Sequence, residues 1–149
     1  MSRRAQIQMS DDEVLAFLDE QRVVTCATLG PRGWPHLMPL WFLVRDGEIW
    51  AWTYAKSQKV LNLERDGRAT LQVEAGTEYH ELRGVMLECD VELIREIDRV
   101  QEFGERLFER YAGNPATEMV AAQAPKRVVM RFAERRRATW DHRKLGGVY

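Results

Sequence analysis

A strand-like segment passes directly into a helix-like one in the stretch Trp50-Ala51-Trp52-Thr53-Tyr54-Ala55-Lys56-Ser57-Gln58-Lys59. If Ser57 is the N-cap of the helix, Lys59 is the second helical residue and faces about half a positive charge from the helix macrodipole. A phosphate held by the first-turn N–H groups, the Ser57 hydroxyl and the ammonium groups of Lys56 and Lys59 would relieve that repulsion. The other interpretation is two solvated lysines on a surface turn.

The side chains of the strand-like half alternate in size. Trp50 and Trp52 share one face of the strand, whereas Ala51 and Thr53 share the other. Large rings therefore cover one side of this strand, and the small residues are expected to leave room for a flat ligand on the opposite side.

Upstream of this stretch the sequence predicts one helix and a hairpin of strands. Ser10 and Glu13 form a capping-box pattern, which predicts a first helix from about residue 11 to residue 20. Asp46-Gly47 is a strong hairpin signal, because this pair tolerates the positive φ values of a tight turn. Strands are expected at residues 23–29, 36–44 and 49–54.

Downstream, the helix that begins at Ser57 is expected to end at Asp66, before Gly67. Asp98 followed by Gln101 resembles a second capping box, which predicts another helix from there. The remaining elements are expected to be strands at residues 68–75, 84–94 and 128–132, a short helix at 116–123, and a basic C-terminal tail.

This order of elements predicts a single domain over residues 1–149, mainly β with flanking helices. Six strands, joined by hairpins or by one short helix, favour a six-stranded antiparallel barrel that is closed or nearly closed. A doubly wound parallel sheet is disfavoured, because it needs a helix after nearly every strand.

Composition narrows the classes of function. A formal charge of −1 over 149 residues gives no broad electrostatic basis for binding nucleic acid or an anionic membrane. The N-terminus lacks a secretion signal and the apolar run at residues 37–44 is short, so a cytoplasmic protein is expected. Cys26 and Cys89 lie in apolar segments without metal-ligand spacing, so we expect reduced core thiols and no metal site.

The element order and the pattern Thr53-x-x-x-Ser57-x-Lys59 resemble the flavin-binding split-barrel superfamily, which includes pyridoxamine 5′-phosphate oxidase and the deazaflavin-dependent oxidoreductases of actinobacteria. The resemblance implies that Thr53, Ser57 and Lys59 hold a cofactor phosphate, with Lys56 nearby. It also implies a homodimer with cofactor sites across the subunit interface. The expected function is an oxidoreductase that uses the deazaflavin F420 or FMN to transfer a hydride to or from a small conjugated molecule.

Two departures separate this chain from the vitamin B6 oxidase. That oxidase has an arginine between the serine and the lysine of the phosphate pattern, where this chain has Gln58, so a bidentate phosphate clamp is lost. The C-terminus also lacks the substrate-phosphate pattern of arginine and histidine. True pyridoxamine 5′-phosphate oxidation is therefore not expected, and the arginine-rich composition mildly favours the deazaflavin branch.

The coenzyme ring is expected to lie against residues 36–41, with the backbone of Met38, Pro39 and Leu40 near its polar edge. Pro39 lacks an N–H group, so it marks either a strand break that frees backbone groups for a ligand or an ordinary bulge or edge. Trp41 either stacks on the cofactor or belongs to the core or the dimer interface.

The basic tail carries Trp140, which is costly to leave exposed. The tail either reaches across the dimer to cover the cofactor or is a solvated terminus. No catalytic acid or base is identified in the sequence, which supports an alternative function: a non-enzymatic protein that binds or stores a flavin, a deazaflavin or haem on the same barrel. A plain interaction module is the third possibility.

Overall fold

The computed structural model describes residues 1–147, which form five α-helices and seven β-strands. The helices are α1 (Arg3–Gln6), α2 (Asp11–Glu20), α3 (Gln58–Arg65), α4 (Ile97–Ala112) and α5 (Thr117–Gln123). The strands are β1 (Val24–Leu29), β2 (Pro35–Leu40), β3 (Leu43–Arg45), β4 (Glu48–Tyr54), β5 (Arg68–Ala75), β6 (Arg83–Ile94) and β7 (Arg127–Asp141). All strand pairs are antiparallel, in the order β2-β1-β5-β6-β7-β4-β3.

The prediction of six strands was wrong, because the expected strand at residues 36–44 is two strands at opposite edges of the sheet. Between β2 and β3, the Tyr111 hydroxyl accepts a hydrogen bond from Phe42 N–H and donates one to Phe42 C=O, both at 3.1 Å. Phe42 is fully buried, so its backbone is satisfied without a strand neighbour. Two edge strands joined by so short a link require a strongly curled sheet.

The curled sheet separates two hydrophobic clusters, and β4 lies between them. The inner cluster packs α2 against the inward side chains of the strands, including Phe17, Phe42 and Phe132. The outer cluster packs α4 and α5 against Trp52. Ala51 belongs to the inner cluster with 0% exposure, so the predicted room for a ligand beside it is filled by core side chains.

Local signals placed most element boundaries correctly. The Ser10 hydroxyl accepts from Glu13 N–H and the Glu13 carboxylate accepts from Ser10 N–H, so α2 begins with the predicted capping box. Helix α4 is present as predicted, but its predicted start was wrong: it begins at Ile97 after Glu96, and the Gln101 amide donates to Glu105 instead of closing a capping box. Burial of the apolar stripe of α4 sets its position more strongly than a cap does.

Strand β7 is much longer than predicted. Residues 128–132 were expected to be its whole length, yet it pairs with β6 as far as Asp141 opposite Arg83, with a bulge at Glu88/Cys89. The tail as far as Asp141 is therefore part of the sheet. Both cysteines are free and buried in the core, as predicted. None of the helices in residues 1–147 has the length and apolar character that crossing a bilayer requires.

Candidate anion site at the start of helix α3

The chain turns from β4 into α3 around Ser57, which is the N-cap as predicted. Its hydroxyl accepts hydrogen bonds from Val60 N–H at 3.4 Å and from the Thr53 hydroxyl at 3.5 Å. The backbone N–H groups of Gln58 and Lys59 lie in the first turn, where the helix itself provides no C=O acceptor for them. No other group in residues 1–147 accepts a hydrogen bond from either. The first turn also contains no acidic residue. Two backbone donors and the positive end of the helix therefore face a site that can hold an anion.

Lys59 is the most informative side chain of this site. It is only 6% exposed, and none of the carboxylates in residues 1–147 forms an ion pair with it. Burial lowers the pKa of Lys59, and the positive charge of Arg127 lowers it further, whereas the neighbouring Cys26 opposes these effects. A partly desolvated ammonium group without a counter-ion is stabilised when a negative charge approaches it. Lys56, three residues earlier, is exposed at the same turn.

Arg127 was missed by sequence reasoning. It begins β7 directly opposite Tyr54, the last residue of β4. Its guanidinium lies 3.7 Å from the centroid of the Tyr54 ring and 4.7 Å from that of Trp52. Burial lowers the pKa of Arg127. The signal that could have revealed it is strand register, because a residue that opposes the end of β4 must lie near the start of α3.

The residues expected to contact the coenzyme ring lie on β2 and just after it. Pro39 pairs with Thr25 in the interior of β2, which is an edge strand, so the edge interpretation of this proline holds. Met38 is 42% exposed on this strand, and Leu40 is half-buried against the core. Trp41 stacks on Tyr111 with ring centroids 4.5 Å apart and keeps 46% of its surface exposed.

The sheet leaves an opening next to the start of α3. Strand β3 pairs only with residues 48–50 of β4, so residues 51–54 have a strand neighbour on the β7 side alone. The outer edge of β2 is also unpaired within residues 1–147. A cavity of about 130 Å³ joins the two elements, with Gln58 on one side and Trp34 and His36 on the other. The Nδ1 atom of His36 is buried and has no hydrogen-bond partner in residues 1–147.

The structure therefore brings some predicted site residues together and separates one. Thr53, Lys56, Ser57 and Lys59 meet at one turn. The cavity beside Gln58 reaches only the first residues of β2, Pro35 and His36, whereas Met38, Pro39 and Leu40 lie further along that strand.

Trp140 lies near the far end of β7, roughly 40 Å of extended chain from Arg127. Its ring covers Gly84, where an added Cβ would come within 2.1 Å of it. Within one chain Trp140 therefore belongs to a different region from the site.

A larger open groove, about 480 Å³, is lined by residues of β1, β5 and β6. Its lining includes Arg68 and Arg135, which pair with Asp66 and Asp90 respectively. These charges are neutralised inside the protein, so the start of α3, where Lys59 has no carboxylate partner in residues 1–147, offers the stronger attraction for an anion.

Comparison with known protein families identifies the fold. The family model described as pyridoxamine 5′-phosphate oxidase matches residues 10–141. This chain belongs to the pyridoxamine 5′-phosphate oxidase family. The resemblance inferred from Thr53, Ser57 and Lys59 is thereby confirmed, and the family lies within the flavin-binding split-barrel superfamily. A sequence comparison with curated proteins found no match to this chain.

Solved structures agree with the family assignment. Conserved hypothetical protein Rv2991 from Mycobacterium tuberculosis is 43% identical with a TM-score of 0.91, over 100% of this chain and 95% of that one. An F420 reductase is 20% identical with a TM-score of 0.67, over 82% and 93% of the two chains. HutZ, the heme storage protein from Vibrio cholerae, is 12% identical with a TM-score of 0.68, over 87% and 92%. The last two are likenesses of fold alone.

Proposed function

We propose that this protein is an oxidoreductase that holds the phosphate of F420 or FMN at the start of α3 and transfers a hydride to or from a small conjugated molecule. The observation that carries the proposal is Lys59, a lysine at a helix N-terminus that is only 6% exposed and has no carboxylate partner in residues 1–147. Charge at this position is unfavourable without an anion and favourable with one.

The residues around Lys59 fit a phosphate group. The N–H groups of Gln58 and Lys59 and the Ser57 hydroxyl supply hydrogen-bond donors, while Lys59 and Lys56 supply positive charge. Thr53 orients the Ser57 hydroxyl from the preceding strand. A phosphate monoester or diester would satisfy these donors together.

The coenzyme itself would supply the hydride chemistry when bound. The tasks left to the protein are to bind the phosphate, orient the ring and exclude water. The segment with Met38, Pro39, Leu40 and Trp41 is proposed to support the ring, since the outer edge of β2 has no strand neighbour in residues 1–147 and Trp41 has an open aromatic face.

A second copy of the chain is proposed to complete the site. Trp140 is separated from Lys59 within one chain, so it can cover the coenzyme only if a partner in a homodimer supplies it. The proposal excludes true pyridoxamine 5′-phosphate oxidation, because Gln58 stands where the oxidase pattern has arginine.

Storage of a flavin, deazaflavin or haem is the second candidate function. Storage is favoured by the residue types of the site, because Thr53, Ser57 and Lys59 can bind an anion but do not form a catalytic acid–base pair. The fold likeness to HutZ, named as a heme storage protein, points the same way.

Two measurements test these proposals. Purified protein should change the absorbance spectrum of F420 or FMN on titration at micromolar concentration, and binding of neither coenzyme would remove the first proposal. Stopped-flow mixing of the reduced complex with conjugated acceptors then separates the candidates. An oxidoreductase reoxidises its coenzyme faster with acceptor present, whereas a storage protein shows no dependence on the acceptor.

A further inference from the structure

The side chain of Gln58 does not serve the anion site. Its amide donates to Asn62 Oδ1 at 2.8 Å, one turn along α3. Asn62 is fully buried and in turn donates to the Thr28 hydroxyl at 3.0 Å, so Gln58 is held by a network that anchors α3 to β1. The position where the oxidase pattern has a phosphate-binding arginine therefore has a structural role here.

Arg127 reaches the same corner from another element. The backbone C=O of Lys126 accepts a hydrogen bond from Ala55 N–H at 2.8 Å, which ties the start of β7 to the turn that leads into α3. The guanidinium is held by the Tyr54 ring on one side and by Gln123 Oε1, at 2.9 and 3.2 Å, on the other. Of its five N–H donors, two reach Gln123, and the other three have no acceptor in residues 1–147.

Arg127, like Lys59, is a partly desolvated cation without a carboxylate partner in residues 1–147. None of the carboxylates in the described part of the chain pairs with Arg127, although it lies close enough to Lys59 for the two cations to repel. Arg131, four residues along the same strand, instead pairs with Glu48 at 2.9 Å and Glu92 at 3.1 Å. One strand thus carries a neutralised arginine and an arginine preorganised without a counter-ion.

We propose that Arg127 binds the coenzyme phosphate and supplies the guanidinium that position 58 no longer provides. This inference rests on the proposed function of the site. Stacking on Tyr54 and the hydrogen bonds to Gln123 fix the guanidinium in place, so little side-chain entropy is lost when the anion binds.

Pairs of ligands that differ in the phosphate group test this role. FMN is compared with riboflavin, and F420 with its deazaflavin chromophore lacking the phosphate. Arg127→Gln should weaken binding of FMN or F420 by about 10- to 100-fold while the phosphate-free ligands change less than about twofold. Arg131→Gln is the matched control on the same strand, and it should leave the ratio of the two affinities unchanged.

A rescue variant separates phosphate binding from a structural role. Adding Gln58→Arg to Arg127→Gln should recover most of the lost FMN or F420 affinity, whereas Arg127→Lys, which keeps the charge without the planar fork, should recover part of it. Equal loss of both members of a ligand pair, no loss, or no recovery in the folded double variant would overturn the inference. Wild-type protein that binds neither coenzyme would overturn the proposed function with it.

Discussion

Two basic regions of this protein differ in how their charges are neutralised. At the start of α3, Lys59 and Arg127 are desolvated and lack carboxylate partners within residues 1–147. Along the second half of β7 and the turn after it, four cations are paired: Arg137 with Glu134 at 2.8 Å, Arg143 with Asp141 at 2.9 Å, Lys144 with Glu13 at 2.8 Å, and Arg135 with Asp90. Burial without neutralisation, rather than the number of basic residues, distinguishes a candidate anion site.

Asp141 shows the opposite case within the neutralised region. Burial acts to raise the pKa of Asp141, yet hydrogen bonds from the side chain and backbone of Arg143 hold it below its usual range. The buried charge there is already satisfied by the chain, so it offers nothing to a ligand. At Lys59 none of the carboxylates in residues 1–147 supplies the opposite charge, so that charge has to come from a ligand.

The largest expected effect is on coenzyme binding. Lys59→Met, which keeps the apolar stem and removes the charge, should weaken F420 or FMN binding by about 1.5–3 kcal/mol, because a charge-assisted contact to phosphate is lost. Fluorescence or absorbance titration measures the affinity. The control is Lys144→Met in the neutralised region, which should change the affinity less than about twofold. Equal coenzyme affinities of wild type and Lys59→Met would contradict the proposed difference between the start of α3 and the neutralised region.

Although Lys59→Met should weaken coenzyme binding, it should increase the stability of the ligand-free protein. Lys59→Met should raise the free energy of unfolding by up to about 1 kcal/mol, since it removes a partly desolvated charge without a counter-ion and keeps a side chain of similar volume. Urea unfolding of the ligand-free protein measures this difference. Destabilisation by Lys59→Met would show that the ammonium group is already satisfied in the folded chain.

As pH rises, coenzyme binding should weaken at a lower pH than it would if the site lysine had the usual lysine pKa. Because burial places the pKa of Lys59 below the usual lysine range, the ammonium group is lost as pH rises through that lowered value. In the same window Lys59 binds more protons in the unfolded chain than in the folded one, so the contribution of Lys59 to the free energy of unfolding rises with pH. The buried thiols of Cys26 and Cys89, whose pKa values are raised to about 12, contribute in the opposite direction. Titrations from pH 7 to about 10.5 measure both trends as the difference between wild type and Lys59→Met, because the two proteins share the contribution of the cysteines.

The smallest effect is expected from an exposed pair in the neutralised region. Arg135→Gln removes an ion pair whose arginine side chain is 74% exposed. The free energy of unfolding should change by less than about 0.5 kcal/mol, and coenzyme affinity should stay the same. Thermal denaturation and the same titration provide the check. A marked loss of affinity would mean that this part of β7 reaches the site in the assembled protein.

Local rules predicted the parts of the fold that depend on neighbouring residues. Ser57 as N-cap and Lys59 as second helical residue were placed correctly, because capping is decided within about four residues. The turn at Asp46-Gly47 was also correct, with φ values of 52° and 75°. The start of α4 was misplaced, since a cap signal worth about 1 kcal/mol yields to burial of a whole helix face.

Features that depend on long-range pairing escaped prediction. The division of residues 36–44 into two edge strands depends on Tyr111, which is far along the chain from Phe42. The length of β7 depends on β6, because an arginine-rich segment becomes a strand when a neighbouring strand takes up its backbone hydrogen bonds.

The Thr53-x-x-x-Ser57-x-Lys59 pattern that points to the family, and the helix start that contains it, are properties of short segments, so the amino-acid sequence was sufficient to recognise them. The burial of Lys59, the absence of a carboxylate beside it in residues 1–147, and the approach of Arg127 emerged on folding. Charge neutralisation depends on which distant segments share a surface, and the pairing of β4 with β7 sets that arrangement.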